Sequence, residues 1–277
     1  MKHAQFVFEE AGTIRSVEHF LAEIKRAAGA GDFGLYFRGH GQPTEGLMPS
    51  IGRKHYYLGR SVTFSSEQEK SLLLQFRRHS YEHFGRIASE WENLFVARHH
   101  GLPTRLLDWT FNPLVALYFA AFYESEEFLP PSSEDHMSTE KLNVDGTVWA
   151  IQRRRKITEL DVLHDDTPPL EIAGIKLVMP FNPTPRMTAQ SGVFTIHSDP
   201  WTDMVKSAGQ PYDPTDLDVS KLIKWTVRSE DKTGIVLDLE RLAINSRTLF
   251  PDVEGLARGL WQTEIIRQCF AGREEEP

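Results

Sequence analysis

The segment His99-His100-Gly101-Leu102-Pro103-Thr104-Arg105-Leu106-Leu107-Asp108-Trp109-Thr110 constrains this chain more than any other. Two imidazoles, a guanidinium, a carboxylate, an indole and two hydroxyls fall within twelve residues, a mixture that no core segment needs. Helical patterns flank it. Upstream, Ser89-Glu90-Trp91-Glu92 has capping-box spacing, Leu94 and Phe95 follow, Gly101 suits the helix end and Pro103 prevents continuation. Downstream, Asn112 is placed to cap a helix with Pro113 at its first position. Leu114, Leu117, Tyr118 and Ala121 form that helix's buried face, and Ala116, Ala120 and Ala121 permit close packing on a sheet. The segment between is expected to be a short, tightly held connection. Such loops, carried on rigid elements, are where binding and catalytic groups gather.

Two other stretches have comparable chemical content. Leu35-Tyr36-Phe37 predicts a short buried strand ending on Arg38-Gly39. Gly39-His40-Gly41 lets backbone approach a ligand closely, and the planar fork of Arg38 suits a phosphate or a carboxylate. A structural ion pair at a strand end is the other reading of Arg38. Downstream, Pro183 and Pro185 deliver Arg186 to Gln190, and Val193-Phe194-Thr195-Ile196 predicts a strand entered through Gly192. Gln190 both donates and accepts, so it suits a hydroxyl or an amide, or else it caps backbone at the strand's start. The three stretches are expected to meet in one cleft. Asp108, beside Trp109 and Arg105, is expected to be partly buried and ion-paired, or to take part in chemistry directly.

Elsewhere the pattern is plainer. Residues 1–15 are uninformative; Ser16 then caps a helix through Phe20, Leu21, Ile24 and Ala28. Residues 42–64 are loop-like, and Ser66-Glu67-Gln68-Glu69 opens a helix to about Phe84. His79 and His83 sit among Arg77, Arg78 and Glu82, which suits a solvated face rather than a metal site. Residues 124–143, rich in Ser, Pro and acid, are expected to be an exposed insertion. Gly146 to Ile151 predicts a strand, and the basic run Arg153 to Lys156 after it is a solvated turn or a nucleic-acid contact. Ile175 to Met179 predicts another strand, Leu222 to Val227 is extended or helical, and Gly234 to Ala243 is helical. A last helix starts at Phe250-Pro251-Asp252 and runs through Leu256, Leu260 and Ile265.

Bulk properties exclude several classes. At 277 residues the chain suits one large domain or two small ones. A formal charge of −8 argues against non-specific duplex binding by bulk charge, though a local basic patch stays open. The lone Cys269 rules out an internal disulfide and a thiolate zinc cluster, and fits a reducing, cytoplasmic setting. No secretory signal is expected, and the longest nearly apolar run, Pro113 to Tyr123, is about half the ~20 residues of a membrane span. There is no P-loop, no dinucleotide-binding glycine pattern and no Gly-x-Ser-x-Gly elbow.

Taken together, these motifs resemble the FRG domain family, named for a Phe/Tyr-Arg-Gly signature that Phe37-Arg38-Gly39 matches. The stretch His99 to Thr110 with Asn112-Pro113 and Ala116 to Ala120 is similar to the family's longest motif. Arg186 to Phe194 is similar to a third, and Leu249-Phe250-Pro251-Asp252 with Gly255 to a C-terminal one. Arg98 stands where the family usually has glutamine, and Met187 where isoleucine is common. A more distant resemblance is to ADP-ribosyltransferases, which also place an arginine and a glycine on an early strand. The expected fold is α+β, with mixed or antiparallel sheets flanked by helices, ADP-ribosyltransferase-like. Residues 1–34 would be an N-terminal helical segment, 35–258 the FRG-like domain, and 259–277 a C-terminal helix and frayed tail.

The resemblance implies an NAD-dependent ADP-ribosyltransferase-like toxin or phage-defence effector that modifies nucleic acid or protein, with NAD as substrate. Cleaving the nicotinamide–ribose bond develops oxocarbenium charge. The site must hold a pyrophosphate, grip ribose hydroxyls, stack the nicotinamide and stabilise positive charge. The implied catalytic residues are Arg38, Asp108 and Gln190, and the implied NAD contacts are Arg38, Gly39, His99, Thr104, Arg105, Trp109, Thr110 and Tyr118, with no metal. The third motif of the transferases usually carries a glutamate where Gln190 stands here, so Asp108, Glu254 or Glu264 would have to supply a carboxylate. One rival is a non-catalytic module in which Arg38, His99, Arg105 and Gln190 recognise a phosphate-bearing ligand or a nucleic-acid end. Another is a metal-independent nuclease using His99 or His100 as acid and base. The implied partners are an RNA, DNA or protein acceptor and a neutralising antitoxin protein, with no membrane contact.

Overall fold

Helix formation follows the caps. In the computed structural model, which describes residues 7–28, 34–43, 46–122, 144–153, 167–180, 184–207 and 219–270, Ser89 accepts a hydrogen bond from the Glu92 amide and starts α4 (Glu90–His99). Asn112 accepts from the Leu114 amide, and Pro113 opens α5 (Pro113–Ala121). The earlier capping box is centred one residue before its expected place. Ser65 is the cap of α2 (Ser66–His79), and Gln68 returns the bond. That helix ends at Ser80, and the short α3 (Tyr81–Phe84) stops at Gly85, whose φ of 65° suits glycine. α1 covers Val17–Ala28.

Seven strands make one sheet. In chain order these are β1 (Val7–Ile14), β2 (Gly34–His40), β5 (Leu106–Thr110), β6 (Gly146–Arg153), β7 (Ile175–Val178), β8 (Gly192–His197) and β9 (Val219–Val227). Their order across the sheet is β1-β9-β6-β2-β5-β8-β7. β1 runs parallel to β9, and the other pairs are antiparallel, so the sheet is mixed and the class is α+β. A separate hairpin pairs β3 (His55–Tyr57) with β4 (Arg60–Val62), inside the stretch expected to be loop.

The stretch 106–110 corrects an expectation: it is a strand near the middle of the sheet, between β2 and β8, rather than a connection. Both faces of the sheet are covered there, so its apolar side chains serve two cores. Leu106 packs with Leu94, Phe95, Phe194 and Ile196. Leu107 and Trp109 point the other way, among Tyr36, Trp149, Val193 and Met204. A third cluster lies under α1, α5 and the helix Ser229–Arg241, where Phe20, Phe37, Leu117, Trp225 and Leu239 meet.

Residues 222–227, left open between strand and helix, lie in β9. The insertion at 124–143, the basic residues Arg154 to Lys156 and the tail 271–277 lie outside the described residues. Among the described residues, no helix is long and apolar enough to cross a membrane, and no group of His, Cys, Asp and Glu could hold a metal ion.

Candidate functional site

β2 and β5 are neighbours joined by a single registered pair, Phe37 with Thr110. Beyond that pair the Arg38 side chain takes over the connection. Its Nη1 donates to the Asp108 carbonyl at 2.7 Å and to the Asp108 Oδ2 at 3.3 Å. Its Nε donates to Nε2 of His40 at 2.8 Å, which leaves the imidazole's proton on Nδ1. Asp108 is also gripped from α4. Arg98 donates from Nε to Oδ1 at 3.1 Å, its Nη2 meets Oδ2, and its Nη1 donates to the Ser50 hydroxyl at 3.0 Å. The same hydroxyl accepts from the Thr104 amide at 3.1 Å, which ties the turn at Ser50–Gly52 to the start of β5.

Arg53 completes the group. It is exposed, and its Nε donates to the Met48 carbonyl at 2.9 Å. Two guanidiniums, of Arg38 and Arg98, therefore share the Asp108 carboxylate, and Arg53 lies within electrostatic range of all three. A second carboxylate, Asp203, acts on Arg53 at longer range, while its Oδ1 accepts from the amides of Leu47 at 3.0 Å and Val205 at 2.8 Å. Among the described residues, Nη2 of Arg38 and both terminal nitrogens of Arg53 donate to nothing.

The electrostatics follow from this crowding. Shielding from water alone would push the Asp108 carboxyl up, but Arg98 and then Arg38 outweigh it and hold it well below the usual carboxylate range. Asp108 raises Arg98 against the effect of burial. Burial lowers Arg38 to about 10, against the pull of Asp108 and with the help of Arg53 and Arg98, so it stays charged at neutral pH. Burial, then Arg38 and Arg53, push His40 well below its ordinary value, so its ring is neutral, as its acceptor role requires.

Other residues expected at the site are engaged in contacts within the protein. Arg105 is 3% exposed and forms a buried pair with Glu69, with its Nη2 2.6 Å from Oε2. Trp109 is 3% exposed and donates its indole N–H to Thr195, and Tyr118 is 1% exposed with its hydroxyl 2.7 Å from that of Ser246. Neither ring has a face left to stack a nicotinamide. Thr104 is fully buried, and its hydroxyl accepts from the Leu106 amide. Gly39 faces α5 instead of a ligand: an added Cβ would lie 1.8 Å from the Ala116 carbonyl oxygen.

The third and fourth motifs do come together, as a brace. Thr110 donates to the Gln190 carbonyl at 2.6 Å, and the Gln190 amide donates to the Leu249 carbonyl at 3.2 Å. The Arg186 guanidinium lies over the Phe250 ring at 4.4 Å. The Gln190 side chain thus secures backbone at Leu249, not at the start of its own strand. His99 turns to separate partners, with Nδ1 3.2 Å from the Thr184 hydroxyl. Burial, then His100 and Arg186, lower its pKa.

Arg98, Arg53, His40 and Ser50 are the parts that sequence reasoning missed. Arg98 stood out only as a departure from the family pattern, and Arg53 lay in a stretch without periodicity.

Residues 34–128 match the FRG domain family. The match spans β2 to α5, and so includes Arg38, His40, Arg53, Arg98 and Asp108. No curated protein and no solved structure matches the chain.

Proposed function

We propose that the protein binds a phosphate-bearing ligand at Arg38, Arg53 and Arg98, with Asp108 as the carboxylate that sets the arginines. The observation that carries this reading is the set of guanidinium nitrogens, on Arg38 and Arg53, that have no acceptor among the described residues, beside Arg98, which Asp108 holds with two nitrogens. Guanidinium forks match phosphate oxygens in geometry and charge, and bonds between ionised partners are the stronger class. The neutral His40 accepts from Arg38 Nε and so steadies the Arg38 fork.

The test is calorimetric titration with inorganic pyrophosphate and with NAD. Wild-type protein is expected to bind both, and Arg38→Ala or Arg53→Ala to weaken binding about tenfold or more, the scale of one charge-assisted hydrogen bond lost. Binding unchanged in both variants would falsify the reading.

ADP-ribosyl transfer from NAD, as a toxin or defence activity, is the second reading. In its favour, Asp108 is held ionised beside Arg38. Against it, both Asp108 oxygens already face guanidiniums, and the Gln190 amide is committed to Leu249. A carboxylate so neutralised is poorly placed to stabilise an oxocarbenium ion. Incubation with labelled NAD and a cell lysate separates the two: label on an acceptor supports transfer, and NAD bound but intact supports binding alone.

A further inference from the structure

The hairpin β3–β4 begins two residues after Arg53, and its strand residues other than His55 are exposed. Leu58 and Gly59 at its tip have φ of 50° and 72°, the left-handed pair that a tight two-residue hairpin turn needs. The hairpin carries Tyr56 at 77%, Tyr57 at 74% and Leu58 at 85% exposure. Two adjacent tyrosines left this open contribute little to stability, because they bury little surface.

The base of the hairpin is anchored to the site. His55 Nε2 lies 2.9 Å from the Ser50 carbonyl, and the His55 ring packs against Phe64 at 5.1 Å. Ser50 is the residue whose hydroxyl holds Arg98. Arg53 lies two residues before β3. The hairpin and the guanidinium cluster are thus one unit joined through Ser50. Pairing sets Tyr57 opposite Arg60, so an aromatic ring and a cation share one face of the hairpin, and Tyr56 occupies the other face.

Charge indicates what would cover it. From Gly46 to Ser66 there is no acidic residue, while Arg53, Lys54 and Arg60 are basic, in a chain of net charge −8. A basic local surface with open aromatic rings suits a polyanion that has exposed flat faces. Single-stranded nucleic acid has both: its backbone takes the cations and its unpaired bases stack on tyrosine. A duplex hides its base faces and offers the tyrosines nothing.

We propose that the β3–β4 hairpin is a base-stacking platform for single-stranded nucleic acid, with Tyr56 and Tyr57 stacking bases and the Arg38–Arg53–Arg98 cluster taking a backbone or terminal phosphate. This rests on the phosphate reading above and names its ligand class. The test is fluorescence anisotropy with short labelled single strands of RNA and of DNA, and with a duplex of the same sequence. Tyr56→Ala/Tyr57→Ala, Tyr56→Phe/Tyr57→Phe and Arg38→Ala are compared with wild type, and pyrophosphate titration runs in parallel. The double alanine variant is expected to weaken single-strand binding about tenfold or more, and the double phenylalanine variant to stay within about twofold of wild type, since stacking needs the ring and not the hydroxyl. Pyrophosphate affinity of the double alanine variant should match wild type. RNA and DNA arms that differ would name the strand preferred. The proposal fails if wild type binds no single strand, if the duplex binds as tightly, or if the double alanine variant binds like wild type. Tyrosine-dependent strand binding without pyrophosphate binding would support the platform and overturn the phosphate site alone.

Discussion

Arg98 holds Asp108 with two nitrogens from the last turn of α4, Nε to Oδ1 at 3.1 Å and Nη2 to Oδ2, while Arg38 reaches the same carboxylate from β2. One carboxylate thereby fixes a helix end, a strand edge and, through Ser50, a loop. The Asp108 side chain is 40% exposed, so the pairs are partly screened.

Asp108→Asn is expected to lower stability at neutral pH by roughly 1–2 kcal/mol, the scale of charged hydrogen bonds reduced for exposure. The carboxyl has a lowered pKa in the fold, so its stabilising effect is present above the unfolded value of 3.8 and is lost as pH falls through the lower folded value. Urea midpoints for wild type and variant should therefore differ by a constant amount from pH 7 down to about pH 4.5 and converge only below that. Convergence already at pH 6 would show that Asp108 is not held by the arginines.

Arg105 and Glu69 form the opposite kind of pair, 3% and 0% exposed. Arg105→Ala leaves a buried carboxylate unpaired and should cost about 3–5 kcal/mol. Replacing both, Glu69→Leu with Arg105→Met, should recover most of that, because apolar side chains of similar volume need no partner. Thermal melts of the single and double variants decide this. A double variant as unstable as the single one would mean the pair also specifies local structure.

Two glycines should respond to alanine with opposite signs. Gly39→Ala drives a methyl to 1.8 Å from the Ala116 carbonyl oxygen, so β2 or α5 must move, at about 1–3 kcal/mol or more. Gly234 sits inside the helix Ser229–Arg241 with nothing within 4 Å of an added methyl. Gly234→Ala should stabilise by up to about 1 kcal/mol, the difference in helix propensity. Denaturant midpoints of the two variants on either side of wild type are the expected result; a neutral Gly39→Ala would place α5 further from the sheet.

How much of this was legible depends on the range of the signal. Caps act over three residues, so the starts of α4 and α5 could be seen in Ser89 and Asn112. The β-branched and aromatic run Val193 to Ile196 likewise marked β8. β5 was misread because Asp108 and Thr110 interrupt its apolar pattern, and they do so because one holds the arginines and the other the Gln190 carbonyl. β1 gave no signal: as the outermost strand it gains its place from a parallel partner more than 200 residues away in sequence, Val7 opposite Lys221. The Arg98–Asp108 pair spans a helix end, a loop and a strand, and no local rule brings residues ten apart together across such a path. Likewise, Trp109 and Tyr118 looked like ligand stackers by type, and only packing shows that Thr195 and Ser246 already occupy their polar ends.

A buried histidine sets a further pH dependence. Trp109 donates its indole N–H to the Thr195 hydroxyl at 3.0 Å, and that hydroxyl lies 2.9 Å from Nε2 of His197. Enclosed there, the imidazole is neutral. Burial pushes its pKa down to about 3, with Asp199 opposing and Arg105 assisting. The unfolded chain takes up this proton below about 6.5, and the folded chain only below about 3. The unfolded state therefore binds more protons across that window, and stability is full above pH 6.5 and falls as the pH drops toward 3, by up to about 1.4 kcal/mol per unit. His40, also lowered, acts in the same direction. His197→Gln keeps a hydrogen-bonding partner for Thr195 and removes the titration. Between pH 7.5 and 5 the wild type should lose roughly 2 kcal/mol more than the variant, read from urea unfolding at each pH. Parallel losses in the two proteins would mean that His197 takes up its proton without leaving the fold.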